Sequence, residues 1–324
     1  MSNPVASRVS WRGVAAEYAG LLIALGLMIL AFSLGTRHFF SADTFRTLAN
    51  QIPGVMLVAT GMTYVLMVAE IDLSVGSVLG LCGATVGVAL VHWHWPLWAA
   101  LLGGLAAGSA CGAFNGIISV HWRLPSFIVT LGMMEMARGG AHALTRSQTQ
   151  YIGSDIEGIA GTAVFGLSLP FLLALSVIVA AQTVLSRAVF GRQIVAVGAN
   201  AEAARLSGID PRAVKFYVFL LSGLLVATAA IIDTSRFQSA NPNAGIGLEL
   251  QAIAAAVIGG TSLMGGRGSV ARTFFGVLII AVLNTGLASI GARDEIKRLV
   301  TGAVIVAAVI MDHYRHRPGE RTRA

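Results

Sequence analysis

The sequence predicts an all-α polytopic membrane protein, with about ten transmembrane helices, broken or hairpin elements between them, and both termini cytoplasmic. Three observations predict it. The 324-residue chain is 56% hydrophobic and only 11% charged, whereas soluble domains carry about 25% charged residues. Its apolar residues come in long runs, and runs of about 18 or more read as spanning helices. The ~10-residue alternating segments of a β-barrel are absent.

The runs lie at 18–35, 45–68, 74–92, 97–120, 125–145, 167–186, 213–235, 248–262, 270–290 and 296–312. Arg8 and Arg12 precede the first, and Ala31-Phe32-Ser33 resembles a signal-peptide cleavage site. The run is long for a signal segment and many more follow, so it reads as an uncleaved first helix. An even number of spans puts both termini on one side. That side holds 14 of the 22 Lys and Arg residues and the other holds 8, which makes it cytoplasmic by the positive-inside rule. The same rule accounts for the net charge of +7. These cations sit in short loops rather than on one face, so nucleic acid is not the partner. Cys82 and Cys111 lie inside apolar runs and read as small core residues, not a disulfide or metal pair. His92-Trp93-His94-Trp95 falls at the outer interface, where indoles are favoured. The outer loop 146–166, with Asp155 and Glu157, reads equally as a partner contact or a plain connector.

Two segments interrupt the helical pattern. Glu70-Ile71-Asp72-Leu73-Ser74-Val75-Gly76-Ser77 divides a hydrophobic stretch too long for one helix. A carboxylate at mid-bilayer costs about 2.5–3.5 kcal/mol on insertion scales. The segment is therefore an interfacial turn or a break lining a wet cavity. Asp72 or Ser74 is suited to cap the next helix. The second break holds Gly259, Gly260, Thr261, Ser262, Gly265, Gly266 and Gly268. No Lys follows its glycines in the phosphate-loop pattern, so it reads as a broken helix or tight hairpin. Gly76-Ser77-Val78 and Gly268-Ser269-Val270 echo each other as an internal repeat would.

Gly104, Gly108, Gly112 and Gly116 make one flat face on the fourth run, suited to close helix packing. That face meets either a neighbour in the same chain or a partner across a dimer interface. Glu135, Arg138 and His142 share one side of the fifth run. Glu135 and Arg138 are either a self-neutralised pair or a functional site inside the membrane.

The largest cytoplasmic loop, 187–212, contains a short capped helix. Asn200 is a good N-cap. Ala201, Glu202, Ala203, Ala204, Arg205, Leu206 and Ser207 are mostly strong helix formers. Glu202 and Arg205 pair at i, i+3, Gly208 ends the helix, and Pro211 prevents its return. Two turns are marginal alone in water, so the helix docks on a protein or lies on lipid. Its Ala-rich face lacks the bulky anchors of a lipid-bound helix.

Four stretches together resemble the permease family of ATP-binding-cassette importers for ribose, xylose and related monosaccharides. They are Glu70–Gly80, Leu124–Gly132 with Arg138-Gly139, Gly191–Ile209, and Ile258–Val270. Two departures stand out: Ser126 where many relatives carry a second proline, and Ala271-Arg272-Thr273 in place of a glycine-rich continuation. The resemblance implies a second permease copy or paralogue, two cytoplasmic ATP-binding-cassette ATPases and a periplasmic sugar-binding protein. It implies that Asn200–Gly208 is the coupling helix that enters a cleft on the ATPase. Residues 1–17 are then a cytoplasmic segment, 18–312 the transmembrane permease domain, and 313–324 a basic cytoplasmic tail. No nucleophile, base and orienting group converge, so no enzymatic step, metal or cofactor is expected. The competing readings are an ion-gradient-driven secondary transporter and a membrane scaffold or channel without coupled transport.

Overall fold

The computed structural model describes residues 11–36, 39–161, 163–164 and 166–315. Arg8, the first part of the N-terminal segment and the tail beyond Arg315 lie outside the described residues. The helices begin with α1 (Trp11–Gly35), α2 (Ala42–Gln51), α3 (Pro53–Met67), α4 (Val75–Val91), α5 (Leu97–His121) and α6 (Ser126–Thr145). Two-residue strand β1 (Gln150–Tyr151), a 3-10 turn (Gly153–Asp155), α7 (Glu157–Gly161) and strands β2 (Ala163–Val164) and β3 (Leu167–Ser168) follow. Then come α8 (Leu169–Arg187), α9 (Val189–Ala199), α10 (Ala201–Leu206), α11 (Pro211–Phe237), β4 (Ser239–Ala240), α12 (Leu248–Ile258), α13 (Val270–Ser289) and α14 (Asp294–Arg315). The strands form two minimal antiparallel pairs, β1 with β4 and β2 with β3.

Among the described residues, five helices are long and apolar enough to cross a bilayer: α1 through Tyr18–Gly35, α5, α8, α11 and α13. Helices α3, α4, α9 and α12 are apolar but shorter. Two of the ten runs differ from expectation. Run 45–68 divides into α2 and α3 at Ile52–Pro53, because Pro53 has no N–H to continue a helix but suits a first helical position. Run 248–262 yields only α12, which Gly259 and Gly260 end, Gly260 at φ +81°. Helix α1 starts ahead of the expected Tyr18, at Trp11, since no proline intervenes.

Helix α3 is the axis of the bundle: Met56 through Met67 are all buried. Peripheral helices instead expose apolar side chains, among them Leu27 on α1, Ile117 on α5, Ile128 on α6 and Val179 on α8. An apolar exterior around an apolar core is the pattern of a protein solvated by lipid.

Helix α11 links the two ends of the molecule over 27 residues, about 40 Å at 1.5 Å per residue. Its first turn follows α10, and its last turn holds α7, where the Ser235 hydroxyl donates to Ile156 O at 2.6 Å and accepts from Ala160 N at 3.0 Å. The described part of the 146–166 loop is thus anchored on α11 by these bonds and by buried Ile156. The His92 ring pairs with Gln150 Oε1 at 2.8 Å there, beside exposed Trp93 and Trp95.

The glycine face of α5 packs within the chain. A β-carbon on Gly108 would stand 2.6 Å from Gly223 O of α11, and one on Gly104 2.7 Å from Val86 of α4. Bare backbone at these positions lets α5 and α11 approach closely.

Candidate functional site

At the α10 end the short helix forms as its sequence dictates. Asn200 Oδ1 accepts from Ala203 N at 2.9 Å, satisfying one of the free N–H groups of the first turn. Arg205 binds Glu202 through both guanidinium arms, Nε to Oε2 at 3.1 Å and NH2 to Oε1 at 2.6 Å. This pairing lowers the Glu202 carboxyl below its ordinary value and raises the Arg205 guanidinium. Gly208 turns the chain at φ +85°. Asp210 then accepts from Arg212 N at 3.0 Å and caps α11 ahead of Pro211. Ala204 packs inward while Leu206 is 76% exposed, so one face of the helix is open. The helix before it, α9, carries no strong start signal. Its N-cap Ala188 supplies no side-chain hydrogen bond, and the sequence reading passed it over.

The first break is a short non-helical stretch between α3 and α4. Helix α3 ends with Ala69 left-handed at φ +59° and Glu70 N donating back to Val65 O at 3.1 Å, a helix stop that normally uses glycine. Residues 70–74 are non-helical, and α6 satisfies their backbone. Ser126 Oγ accepts from Ile71 N at 3.0 Å, and Thr130 Oγ1 accepts from Leu73 N at 3.1 Å. Ser126, the departure from the family pattern, thus has a defined task. Asp72 forms an Asx turn just ahead of α4 rather than the expected cap: its Oδ1 accepts from Ser74 N at 2.9 Å and from Ser74 Oγ at 2.6 Å, and among the described residues no side chain caps the α4 first turn. Ser74 itself caps nothing; its hydroxyl accepts from Asn115 Nδ2 of α5 at 3.0 Å. Glu70 pairs with Lys215 of α11.

The second break meets the first at this end. Gly266 N donates to Met67 O at 2.9 Å. Ser262 and Arg267 close the loop through Ser262 N to Arg267 O at 3.0 Å. Gly265 packs on Ala69 and on Gly198 O, and a β-carbon on Gly268 would stand 2.7 Å from the Met67 side chain. Gly259 lies against the α13 backbone at Thr273. Thr273 in turn shares a 2.8 Å hydroxyl contact with Thr63 of α3. Thr261 is fully buried, its hydroxyl unpaired. Ser269 accepts from Arg272 N at 3.4 Å to start α13. Gln182 of α8 accepts from the next free donor, Ala271 N, at 3.0 Å.

Gly76 is not part of the break. It lies inside α4, where the Gly245 backbone and the Glu249 carboxylate press against it. The chain after β4 runs along α4 from Gly87, which faces Ala240, past Gly80, which faces Pro242 and Ala244, to Gly76. Helix α12 then starts inside the bundle with Glu249 in its first turn. Arg138 holds this inserted segment, donating from one guanidinium nitrogen to Pro242 O at 2.6 Å and Ala244 O at 3.0 Å. It bonds those carbonyls rather than closing a pair with Glu135, which acts on it, like Glu249, through charge.

Beside α10 opens a cleft of about 1040 Å³. Arg123, Glu202, Arg205, Arg212, Lys215 and Glu70 line it, so residues of α10, α11 and the first break share one charged mouth.

A family model described as "Branched-chain amino acid transport system / permease component" matches residues 44–309. The chain belongs to this permease family. It is 38% identical to the ribose import permease protein RbsC of Haemophilus influenzae, over 90% of this chain and 92% of that protein. It is 33% identical to the D-allose transport system permease protein AlsC of Escherichia coli, over 90% of each. To the L-arabinose transport system permease protein AraH of Escherichia coli it is 32% identical, over 92% of this chain and 91% of that protein. No solved structure matches the chain.

Two residues of the permease escaped the sequence reading. Gly198 of α9 lies against Met67 O with no room for a β-carbon. Asp233 of α11 sets its carboxylate beside Gly54 at the start of α3, where a helix end favours negative charge. Neither stands out locally, because a glycine in an apolar run and an acid near a helix end are both ordinary.

Proposed function

We propose that this permease is the multi-pass subunit of an ATP-driven importer in the bacterial inner membrane, carrying a monosaccharide handed over by a periplasmic binding protein. Hydrolysis belongs to separate ATPase subunits, and a second copy or a paralogue completes the path. Ten segments cross the membrane: α1, α2 with α3, α4, α5, α6, α8, α11, α12, α13 and α14. Both termini and α10 face the cytoplasm.

The observation that carries this reading is α10: capped at both ends, exposed on one face, and set beside a charged cleft. The sugar permeases similar along nearly the whole chain support the same assignment. In operation, ATPase closure displaces α10. The displacement passes through α9 to Gly198, and from there to Met67 of α3 and Gly266 of the second break. The bundle then changes between outward-open and inward-open forms.

Reconstitution tests it. Vesicles holding the permease with its ATPase, and the binding protein on the other side, should accumulate sugar only with ATP. Uptake by the permease alone, driven by an ion gradient, would establish the secondary-transporter reading instead. Labelling Ser207→Cys with a membrane-impermeant thiol reagent in intact cells should fail and should succeed in inverted vesicles. The reverse result would place α10 outside and remove the coupling role.

A further inference from the structure

A cavity of about 130 Å³ lies between the α2–α3 elbow, α12 and α13. Its polar wall is Gln51, Gln251, Asn284 and Thr285, and its apolar wall includes Ile52 and Ile280. We infer that it binds a neutral polyhydroxylated ligand, the monosaccharide in transit, through these three carboxamides and one hydroxyl. This deepens the importer reading and rests on it.

The first argument is unspent hydrogen-bonding capacity. Among the described residues, the Gln51, Gln251 and Thr285 side chains have no protein hydrogen-bond partner. Asn284 has one long contact, 3.5 Å from Thr301. A carboxamide carries two donors and an acceptor with two lone pairs, and taking such groups out of water unpaired is unfavourable. Gln51 is exposed and the other three are half-buried, so four groups with free hydrogen-bonding capacity ring one opening and suit a polar occupant. Each water occupies about 30 Å³ of liquid, so the cavity has room for several waters, or for the hydroxyl-bearing edge of a sugar ring.

The second argument is charge. Among the described residues, no ionisable side chain lines the cavity. An amino-acid zwitterion, the cargo class in the family model's description, would leave its ammonium and carboxylate without counter-charges. A polyol needs none, and the apolar wall suits the C–H face of a sugar ring.

The third argument is position. Pro53 bends the chain so that α2 leaves the α3 axis and opens the cavity beneath it. On the other side of α2 lies a second cavity of about 270 Å³, lined by Asn50, Ser168 and Arg236. Gln51 borders both. A short polar helix thus stands between two hollows at the end opposite α10. In the proposed orientation that is the end where the binding protein delivers its ligand.

The test uses the complete transporter in proteoliposomes, with radiolabelled D-ribose, D-allose, L-arabinose and L-leucine as probes. The wild type should carry at least one sugar and no leucine. Gln251→Leu and Asn284→Leu should each lower sugar uptake tenfold or more, and Asn284→Gln should change the ratio between two sugars at least threefold. Folding is checked by thermal unfolding and by co-purification with the ATPase. Gln51→Leu, at the exposed rim, serves if the inner variants fail to fold, and should lower uptake at least threefold. Unaltered uptake in the folded variants, or equal loss for every sugar in Asn284→Gln, would overturn the site and leave the importer reading standing. A wild type that carries no sugar with ATP would remove the importer reading, and one that carries leucine would remove the sugar assignment.

Discussion

Gly198 of α9 and Met67 of α3 meet backbone to backbone, with the Met67 carbonyl filling the space a side chain on residue 198 would need. Met67 O also accepts from Gly266 N at 2.9 Å, so three chain segments are joined at one oxygen. Overpacking a well-filled site costs about 1–3 kcal/mol. Gly198→Ala should lower stability by that amount and ATP-driven uptake by tenfold or more. ATPase binding, which in the proposed function uses the exposed face of α10, should persist. Uptake assays beside pull-down of the ATPase check this, and intact transport would deny the junction a mechanical role.

Loss of the Asn200 cap should loosen α10. An Asn-to-Ala change at an N-cap costs about 1 kcal/mol, so Asn200→Ala should weaken ATPase association several-fold without unfolding the bundle. Arg205→Glu, which sets like charges side by side, should weaken it further.

Acid should act on the same helix. The Arg205 guanidinium holds the Glu202 carboxyl below its ordinary value. A carboxyl lowered in the folded state contributes stability above its unfolded pKa, about 4.3, and loses it as the pH falls through the lowered one. The pair should therefore stay intact from neutrality down through the ordinary carboxylate range, and open only below it. Carbon-detected titration of Glu202 measures this, and opening near neutral pH would contradict the geometry.

Glu70 and Lys215 are partly buried partners from the first break and α11, with side chains 14% and 23% exposed. Exposed pairs contribute roughly 0–1 kcal/mol and broken buried pairs cost 3–5, so Lys215→Met should cost about 1–2. The exchanged pair, Glu70→Lys with Lys215→Glu, should recover much of that in a double-mutant cycle. Additive losses would show that the contact carries no energy of its own.

Arg138→Met should release the inserted segment, because the Pro242 and Ala244 carbonyls lose their shared donor. Leaving buried acceptors unsatisfied costs about 1–3 kcal/mol each. We expect reduced thermal stability and a fall in uptake of at least tenfold, with Arg138→Lys intermediate. Protease susceptibility near Asn243 reports the release directly.

What the sequence made legible was local. Asn200, Gly208 and Pro211 announce α10 because capping and termination depend on residues a few positions apart. The Gly104–Gly116 ladder announced a packing face but not its partner. What stayed hidden joins distant parts of the chain. Ser126 and Thr130 complete the backbone of 70–74 from more than fifty positions away. Gln51, Gln251 and Asn284 meet only once three helices are assembled. Pro53 left the hydrophobic run unbroken, so the α2–α3 elbow gave no signal in composition.

Helix α3 is enclosed by protein along its length, and its 15 residues rise about 22 Å, less than the ~30 Å hydrocarbon thickness. It has no lipid annulus. Thinner or thicker acyl chains will act on the outer helices through tilt and reach this axis only second-hand. Any stroke it makes must be shared with its neighbours at the same moment.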